Sequence, residues 1–520
     1  MPWSRPCRSA ALAFVLACPP ATLRAQASAY EQLQAFSGVL SHVRANYVDS
    51  VDFGRLVQAS IRGMLSSLDP HSRYTTREEF DLRLRWDRGE LAAPGLFLED
   101  ADRAVTILRV EPESPAAKAG VQAGDRVVRI NDSSVAGLDA DAIEARLLGD
   151  KGSKVRLTFE RGSRVDPDTF AVTLKRVILE HHVVGAPRMA DGTTGYVRLS
   201  EFTPLAPKEL EDAVKKARGM GARQLILDLR GNPGGDIDAM IRIASAFLPA
   251  GAQVFHTQGR KKTGFESVVT HDAGDFAKLP LVVLIDAGSA SAAEMLAGSL
   301  QDHDRALIVG RRSFGKALMQ SSLPLPNGDV VWLTTARVAT PSGRIIQRRY
   351  SGVGTEQYFA LAGKGGAPDD TTAMYQTDHG RPVRGGGGIV PDVERPISAE
   401  LPVWFSVASD SGYDTAVADS VAATLPAGPA GQAAWMTDTA GWDSRIVAPF
   451  LARVHDRLGV RADPAPPLRG RLGRILGSRA AQVRWGPDAA EDFLLRNDGD
   501  IRAALPLFAR LPELLAANAH

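Results

Sequence analysis

Two residue types in one stretch of this sequence could together break an amide or ester bond. Ser291 lies in AGSASA (287–292), a run of small side chains between the apolar run LVVLID (281–286) and the helix-forming segment AEMLAGSL (293–300). A short apolar run bounded in this way reads as a strand buried on both faces, and the segment after it as a helix. A serine between the two stands at a helix N-terminus, where unsatisfied N–H groups favour developing negative charge. That is the setting a nucleophile of acyl transfer needs. The small neighbours let a substrate backbone come close.

The hydroxyl also needs a base. His303 is near in sequence, in QDHDR, but at the far end of the helix; at about 1.5 Å per residue it stands more than roughly 10 Å from the turn. Lys316 is the better candidate. It lies in SFGKA, after the strand pattern ALIVG (306–310), on a loop able to fold back over the turn. Ser–Lys pairs are a variant of the hydrolase triad. To accept a proton the lysine must be neutral, so its pKa must fall from about 10.4, and burial in an apolar pocket does that. Taken singly, each residue has a plainer reading: Ser291 as a helix N-cap and Lys316 as a solvated loop lysine.

Other groups are weaker candidates. QLILDLR (224–230) and GNPGG (231–235) read as a strand and glycine loop before a helix from Ile237. The loop lacks the Walker lysine and the GxGxxG spacing, so it does not read as a phosphate loop. Asp228 and Arg230 read as a structural ion pair or loop anchor. His71, in LDPHSRY, reads as a turn or cap residue.

The words GSASAAE, QDHDRA, SFGK with Gln320 four residues after the lysine, TPSGR and GGGGIVPD follow an order that resembles the carboxyl-terminal processing (tail-specific) proteases, peptidase family S41. The resemblance puts the family's serine on Ser291, its lysine on Lys316 and its supporting glutamine on Gln320, with the family's interval between the first two. It implies an oxyanion hole built from the N–H of Ala292 and from a glycine N–H of DLRGNPGG, that of Gly234 or Gly235. Two positions depart from the family pattern. Ala317 follows the lysine where glycine is usual, and Ala293 replaces the last serine of the common SASAS run. Neither change removes a catalytic group, and the motifs together favour catalysis over the plainer readings.

The chain that must hold these groups has 520 residues, 44% hydrophobic and 23% charged, with a formal net charge of +1. That length calls for about three or four domains, and the charge offers no field for nucleic acid or an anionic membrane. Residues 1–27 read as a signal peptide: MPWSRPCR is basic, ALAFVLA is apolar, and ATLRAQA ends in an A-x-A pattern at Ala25–Ala27. The apolar run is far shorter than a membrane span, so the expected location is periplasmic or otherwise exported. Both cysteines, Cys7 and Cys18, fall in this segment. The mature chain would then hold no disulfide, thiol nucleophile or thiolate metal site. A lipoprotein signal acylated at Cys18 is the competing reading, and Leu16 fits it poorly.

The expected fold is α/β and multi-domain. Residues 28–87 read as an N-terminal helical segment, with a stripe of Leu33, Phe36, Val39, Leu40 and Val43 and a second helix that stops at Asp69-Pro70. Residues 88–178 alternate strands with short helices and resemble a circularly permuted bacterial PDZ domain, most tellingly in SPAAKAGVQAGDRVVRIN. There Gly95, Leu96, Phe97 and Leu98 would present N–H groups to a peptide's terminal carboxylate, the peptide adding as an edge strand. Residues 179–397 form the protease core, which the resemblance makes ClpP/crotonase-like, with a hairpin at PNGD (326–329) and a polar, glycine-rich surface excursion over 350–384. Asp392, in the closing GGGGIVPDV, calls for a basic partner. Residues 398–520 read as a helical region of unknown role, its apolar faces packing on the body or on a second subunit.

The expected activity is that of a serine-type endopeptidase without metal or cofactor, acting on proteins or peptides with apolar C-termini. A homo-oligomer and a regulatory adaptor stay open as further partners. Two other classes compete. One is a catalytically silent PDZ scaffold or adaptor that binds protein C-termini. The other is an acyl-CoA hydratase or hydrolase on the related crotonase-like architecture, against which the leader and the PDZ segment speak.

Overall fold

Leu281–Ile285 becomes a strand in the middle of a six-stranded sheet, and all five of its residues are fully buried. In order across that sheet run Arg188–Met189, Thr194–Arg198, Gln224–Asp228, Leu281–Ile285, Leu307–Gly310 and Val393–Glu394. The first pair is antiparallel and the others parallel. Parallel strands of this kind are covered on both faces, and successive side chains alternate between the two. Leu281, Val283 and Ile285 pack with the helices Ala206–Gly219, Ile237–Phe247 and Ala292–Asp302. Val282 and Leu284 point the other way, against Leu495, Ile501, Ala504, Phe508 and Leu511.

The structure is a computed structural model that describes residues 29–516 except 88–89, 102–103, 112, 123, 139, 162–166, 179–181, 261–266, 273, 354, 361–372, 398 and 438–440. The signal-peptide reading, with Cys7 and Cys18, lies outside the described residues. The chain divides into two units, 1–64 and 65–520. The first holds the helix Ala29–Asn46 and most of the helix Phe53–Ser66. The stripe expected on the first helix is present, but none of that helix's residues is buried, and Leu33, Phe36 and Val39 are exposed.

In the second unit a strand appears where a helical segment was expected. Arg73–Thr75 pairs antiparallel with Val330–Ala339, Arg73 opposite Trp332. The turn at Asp69-Pro70 ends the helix, and the next residues find a partner strand more than half the body away in sequence. Val330–Ala339 also pairs with Leu318–Pro324 across the expected PNGD turn, where Gly328 takes φ 90°, and with Gln253–Gly259. The excursion at 350–384 is not wholly superficial. It contains a helix, Thr355–Ala360, whose Tyr358 is buried, because that ring packs on Phe314 in the lysine loop and on His71.

Within 88–178 a separate core forms around a sheet of Leu96–Ala101, Ala104–Val110, Arg126–Ile130, Lys154–Arg161 and Asp168–Lys175, in that order. The C-terminal residues build a helical cluster of their own around Trp435, Phe450, Leu472, Leu476 and Phe493. Their last helices supply the second cover of the main sheet. Of the two surfaces open to those apolar faces in sequence, the chain's own body takes the faces at 495–511.

An ion network fixes that cover. Arg230 bonds to Asp228 at 2.7 Å and to Asp498 and Asp500 at 3.0 Å each. Arg311 bonds to Asp500 at 2.7 Å. Asp228 and Arg230 thus form the structural pair expected from sequence. Asp500→Ala removes the shared partner of two largely buried guanidinium groups. It should cost about 3 kcal/mol, seen as a lowered thermal midpoint of the full chain, whereas an unchanged midpoint would make the network incidental.

Candidate active site

The turn after Leu281–Ile285 is stitched to the glycine loop before it. Asp286 Oδ1 accepts from Gly231 N at 2.8 Å, Asn232 O accepts from Ala290 N at 2.9 Å, and Ser289 Oγ donates to Leu229 O at 2.8 Å. This puts Ser291 directly before Ala292, the first residue of the helix Ala292–Asp302, with φ 55° and ψ −116°. An ordinary N-cap is extended. A non-glycine residue at positive φ costs about 1–3 kcal/mol and persists only where its surroundings hold it. Gly234 leaves room for this residue, since a Cβ there would lie 2.8 Å from Ser291 Cβ.

What holds the serine is Glu294, three residues on and fully buried. Its Oε2 accepts from Ser291 N at 2.9 Å and from Lys316 N at 2.8 Å. Its Oε1 accepts from Gly315 N at 2.6 Å and from Ser313 Oγ at 2.5 Å. The main-chain nitrogens of Ser291 and Lys316 are therefore separated by a single carboxylate oxygen. All four partners donate, so the geometry holds a carboxylate, although burial pushes the group up to about 7. The lysine loop is backed from behind by the GGGG motif. Ile389 N donates to Ser313 Oγ at 2.6 Å, and Gly315, at φ 91°, packs on the main chain of Gly387 and Gly388.

The Lys316 side chain is largely buried. Burial first, and the Arg73 guanidinium second, hold its ammonium below the ordinary lysine range, against the pull of Glu294. Arg73 sits over the Trp332 ring at 5.3 Å, on the strand pair that leads from Leu318–Pro324. His71 belongs to the same wall. Its main-chain N–H bonds to Asp69, as a turn residue's would, but its ring Nε2 lies 3.1 Å from Tyr358 Oη. Burial, then the Lys316 charge, push the imidazole down to about 4, so it is neutral near pH 7.

The remaining candidates fall as follows. Gln320 lies on the strand after the lysine, and its Nε2 donates to Thr334 Oγ1 at 3.2 Å. The N–H of Gly234 is committed to Asn232 Oδ1 at 2.8 Å. Those of Gly235 and Ala292 have no acceptor among the described residues. His303 is held at the far helix end by Asp378 and by Gln253 O, each at 2.7 Å. Asp392 finds its basic partner in Arg381 at 2.6 Å. Gly95, Leu96, Phe97 and Leu98 lie elsewhere, at the start of the edge strand Leu96–Ala101, where Gly95 takes φ 92° against Ser114.

Comparison with known proteins bears on this geometry. The profile of peptidase family S41 matches residues 193–356, and that of the PDZ domain matches 106–161. A carboxy-terminal-processing protease of Bartonella bacilliformis is 35% identical over 333 residues, which are 63% of this chain and 75% of that protein. The chain belongs to peptidase family S41. A carboxy-terminal processing protease of Bacillus subtilis is 30% identical over 308 residues, 59% of this chain and 65% of that protein. Among solved structures, a photosystem II D1 C-terminal processing protease aligns over 72% of this chain and 94% of its own at 26% identity, with a TM-score of 0.41. The fold is that of an S41 protease core with an inserted PDZ domain, and the family's members are serine peptidases.

For this S41 peptidase, sequence reasoning missed Glu294, Arg73 and Tyr358, and it gave His71 only a turn. The signal for Glu294 was present: Ser-x-x-Glu before an apolar helix is the capping-box pattern. Glu294→Gln keeps the shape but turns an amide NH₂ toward donors. We expect kcat on a cleavable reporter protein to fall at least about a hundredfold, with the Tm also lowered. Full activity in that variant would remove Glu294 from the account.

Proposed function

We propose that this chain is an exported serine endopeptidase that takes protein C-terminal tails in its PDZ domain and cuts peptide bonds with Ser291 and Lys316. The observation that carries the reading is the Glu294 carboxylate oxygen shared by the main chains of those two residues. It supports a nucleophile and a base held together by a group that does neither job.

In this reading Ser291 Oγ attacks the scissile carbonyl carbon while neutral Lys316 Nζ takes its proton. The C–N bond breaks as Lys316 returns that proton to the leaving nitrogen. A water then deacylates the enzyme with Lys316 again as base. Ala292 N–H and Gly235 N–H are the oxyanion donors, since the N–H of Gly234 is already bonded. Gln320 spends its NH₂ on Thr334, which leaves its carbonyl oxygen as the atom to orient Lys316. Gly95–Leu98 take the terminal carboxylate of an apolar tail. Export rests on the leader sequence at 1–27, and no helix among the described residues is long and apolar enough to cross a membrane.

The test is cleavage of a tailed reporter by the purified chain. Ser291→Ala and Lys316→Ala should each lose about ten-thousandfold or more in kcat. Binding of the tail without cleavage by the unaltered chain would instead favour the scaffold. The pH dependence has a defined sign. Lys316 works uncharged, so kcat/KM should rise with pH through a lysine pKa that burial and Arg73 have lowered. Arg73→Gln removes one of those two causes and should move the acid limb to higher pH. A limb that stays in place would remove Arg73 from the tuning.

A further inference from the structure

The edge of the PDZ sheet is already in use. Leu96–Ala101 pairs on one side with Ala104–Val110 and is the terminal strand of its sheet. An exposed strand edge presents unpaired N–H and C=O groups that another chain can take. Along this edge lies the helix Ala140–Leu147, whose Ile143 and Leu147 enter the same core as Leu96 and Leu98. The next residue after Ile143 faces the strand instead: Glu144 Oε1 accepts from Leu98 N at 3.3 Å. Leu98, third in that strand, is the last residue of the Gly95–Leu98 stretch that would receive a peptide's terminal carboxylate. A carboxylate of the protein therefore stands where a carboxylate of the substrate is to bind.

We propose that Glu144 is a specificity-determining residue of the PDZ groove, an internal carboxylate that an incoming C-terminus must displace from Leu98 N–H. The inference rests on the reading of 95–98 as the tail-binding loop. Two anions cannot share one donor, so Glu144 sets a threshold: only a tail whose apolar side chains and strand pairing add enough binding evicts it. Segments that offer strand pairing without further contacts are left outside. The displaced side chain remains on the helix beside the bound carboxylate and continues to oppose it through like charge.

The experiment uses the full chain carrying Ser291→Ala, so that no probe is cut, with and without Glu144→Gln. The probes are a fluorescein-labelled hexapeptide ending in Val-Ala-Ala with a free carboxylate and the same peptide ending in a primary amide, read by fluorescence anisotropy. Glu144→Gln should tighten the free-acid peptide about tenfold and change the amide peptide much less. In the cleaving chain it should lower KM for a tailed reporter and leave kcat alone. Equal or weaker binding of the free acid by Glu144→Gln overturns the inference while tail binding stands. Equal gains on both peptides also overturn it, since they would mark a general loosening of the groove. Failure of both proteins to bind either peptide overturns the tail-binding loop and the inference with it.

Discussion

A buried carboxylate with four donors and no acceptor is the constraint on which the site depends. Glu294 costs the fold the desolvation of a charge, and only a full set of hydrogen bonds makes that tolerable. Those bonds come from the serine's own turn and from the loop of Lys316. Neither segment can move without leaving the carboxylate short of a partner. The positive φ of Ser291 follows from the same arrangement. The strain is held by the bond to Ser291 N, and the lack of a side chain at Gly234 leaves Ser291 the room it needs. In the proposed reading the serine is thus placed before any substrate arrives, which is what makes electrostatic stabilisation cheap at the moment of reaction.

The rest of the unit serves that placement. The parallel sheet sets the serine turn and the glycine loop side by side at the ends of adjacent strands, Leu281–Ile285 and Gln224–Asp228. In open parallel sheets such strand ends are where sites form. The glycine loop is then anchored from outside. Arg230, at its start, is gripped by Asp498 and Asp500 in the helices that cover the sheet's second face. The C-terminal region is therefore tied to the catalytic body through the base of the glycine loop. On the lysine side, Arg73 sets a second cation near the largely buried amine, and His71, two residues before Arg73, meets Tyr358 at 3.1 Å.

Legibility in the sequence followed distance along the chain. Ser291 and its turn could be read because a strand, a small-residue run and a helix are adjacent and each has its own pattern. Lys316 could be named from its loop after the ALIVG strand, but only the family motifs outweighed the plainer reading of a solvated lysine, since nothing local marks a buried one. Glu294 was local and visible as a capping-box glutamate, but that pattern ordinarily means a helix start and no more. His71 and Arg73 were hidden for a different reason. His71 lies just before, and Arg73 within, the strand Arg73–Thr75, whose partners Val330, Val331 and Trp332 are far along the chain, and a three-residue strand has no periodicity to read. No pattern in the sequence separates Gly234 from Gly235; in the structure Asn232 takes the first N–H, which is the ground on which Gly235 is proposed. The C-terminal helices were recognised as amphipathic, yet amphipathicity says that a face is covered and not by what.

The central claim is that Ser291 is a nucleophile activated by an uncharged Lys316. It is tested most directly by reacting the full chain with a fluorophosphonate between about pH 6 and pH 10 and mapping the adduct by mass spectrometry. The expected result is a single adduct on Ser291. Its rate should rise with pH through one ionisation below the ordinary lysine value of about 10.4, and that rise should be absent in Lys316→Ala. An adduct on another residue, or Ser291 labelled at the same rate and with the same pH dependence when Lys316 is gone, would contradict it.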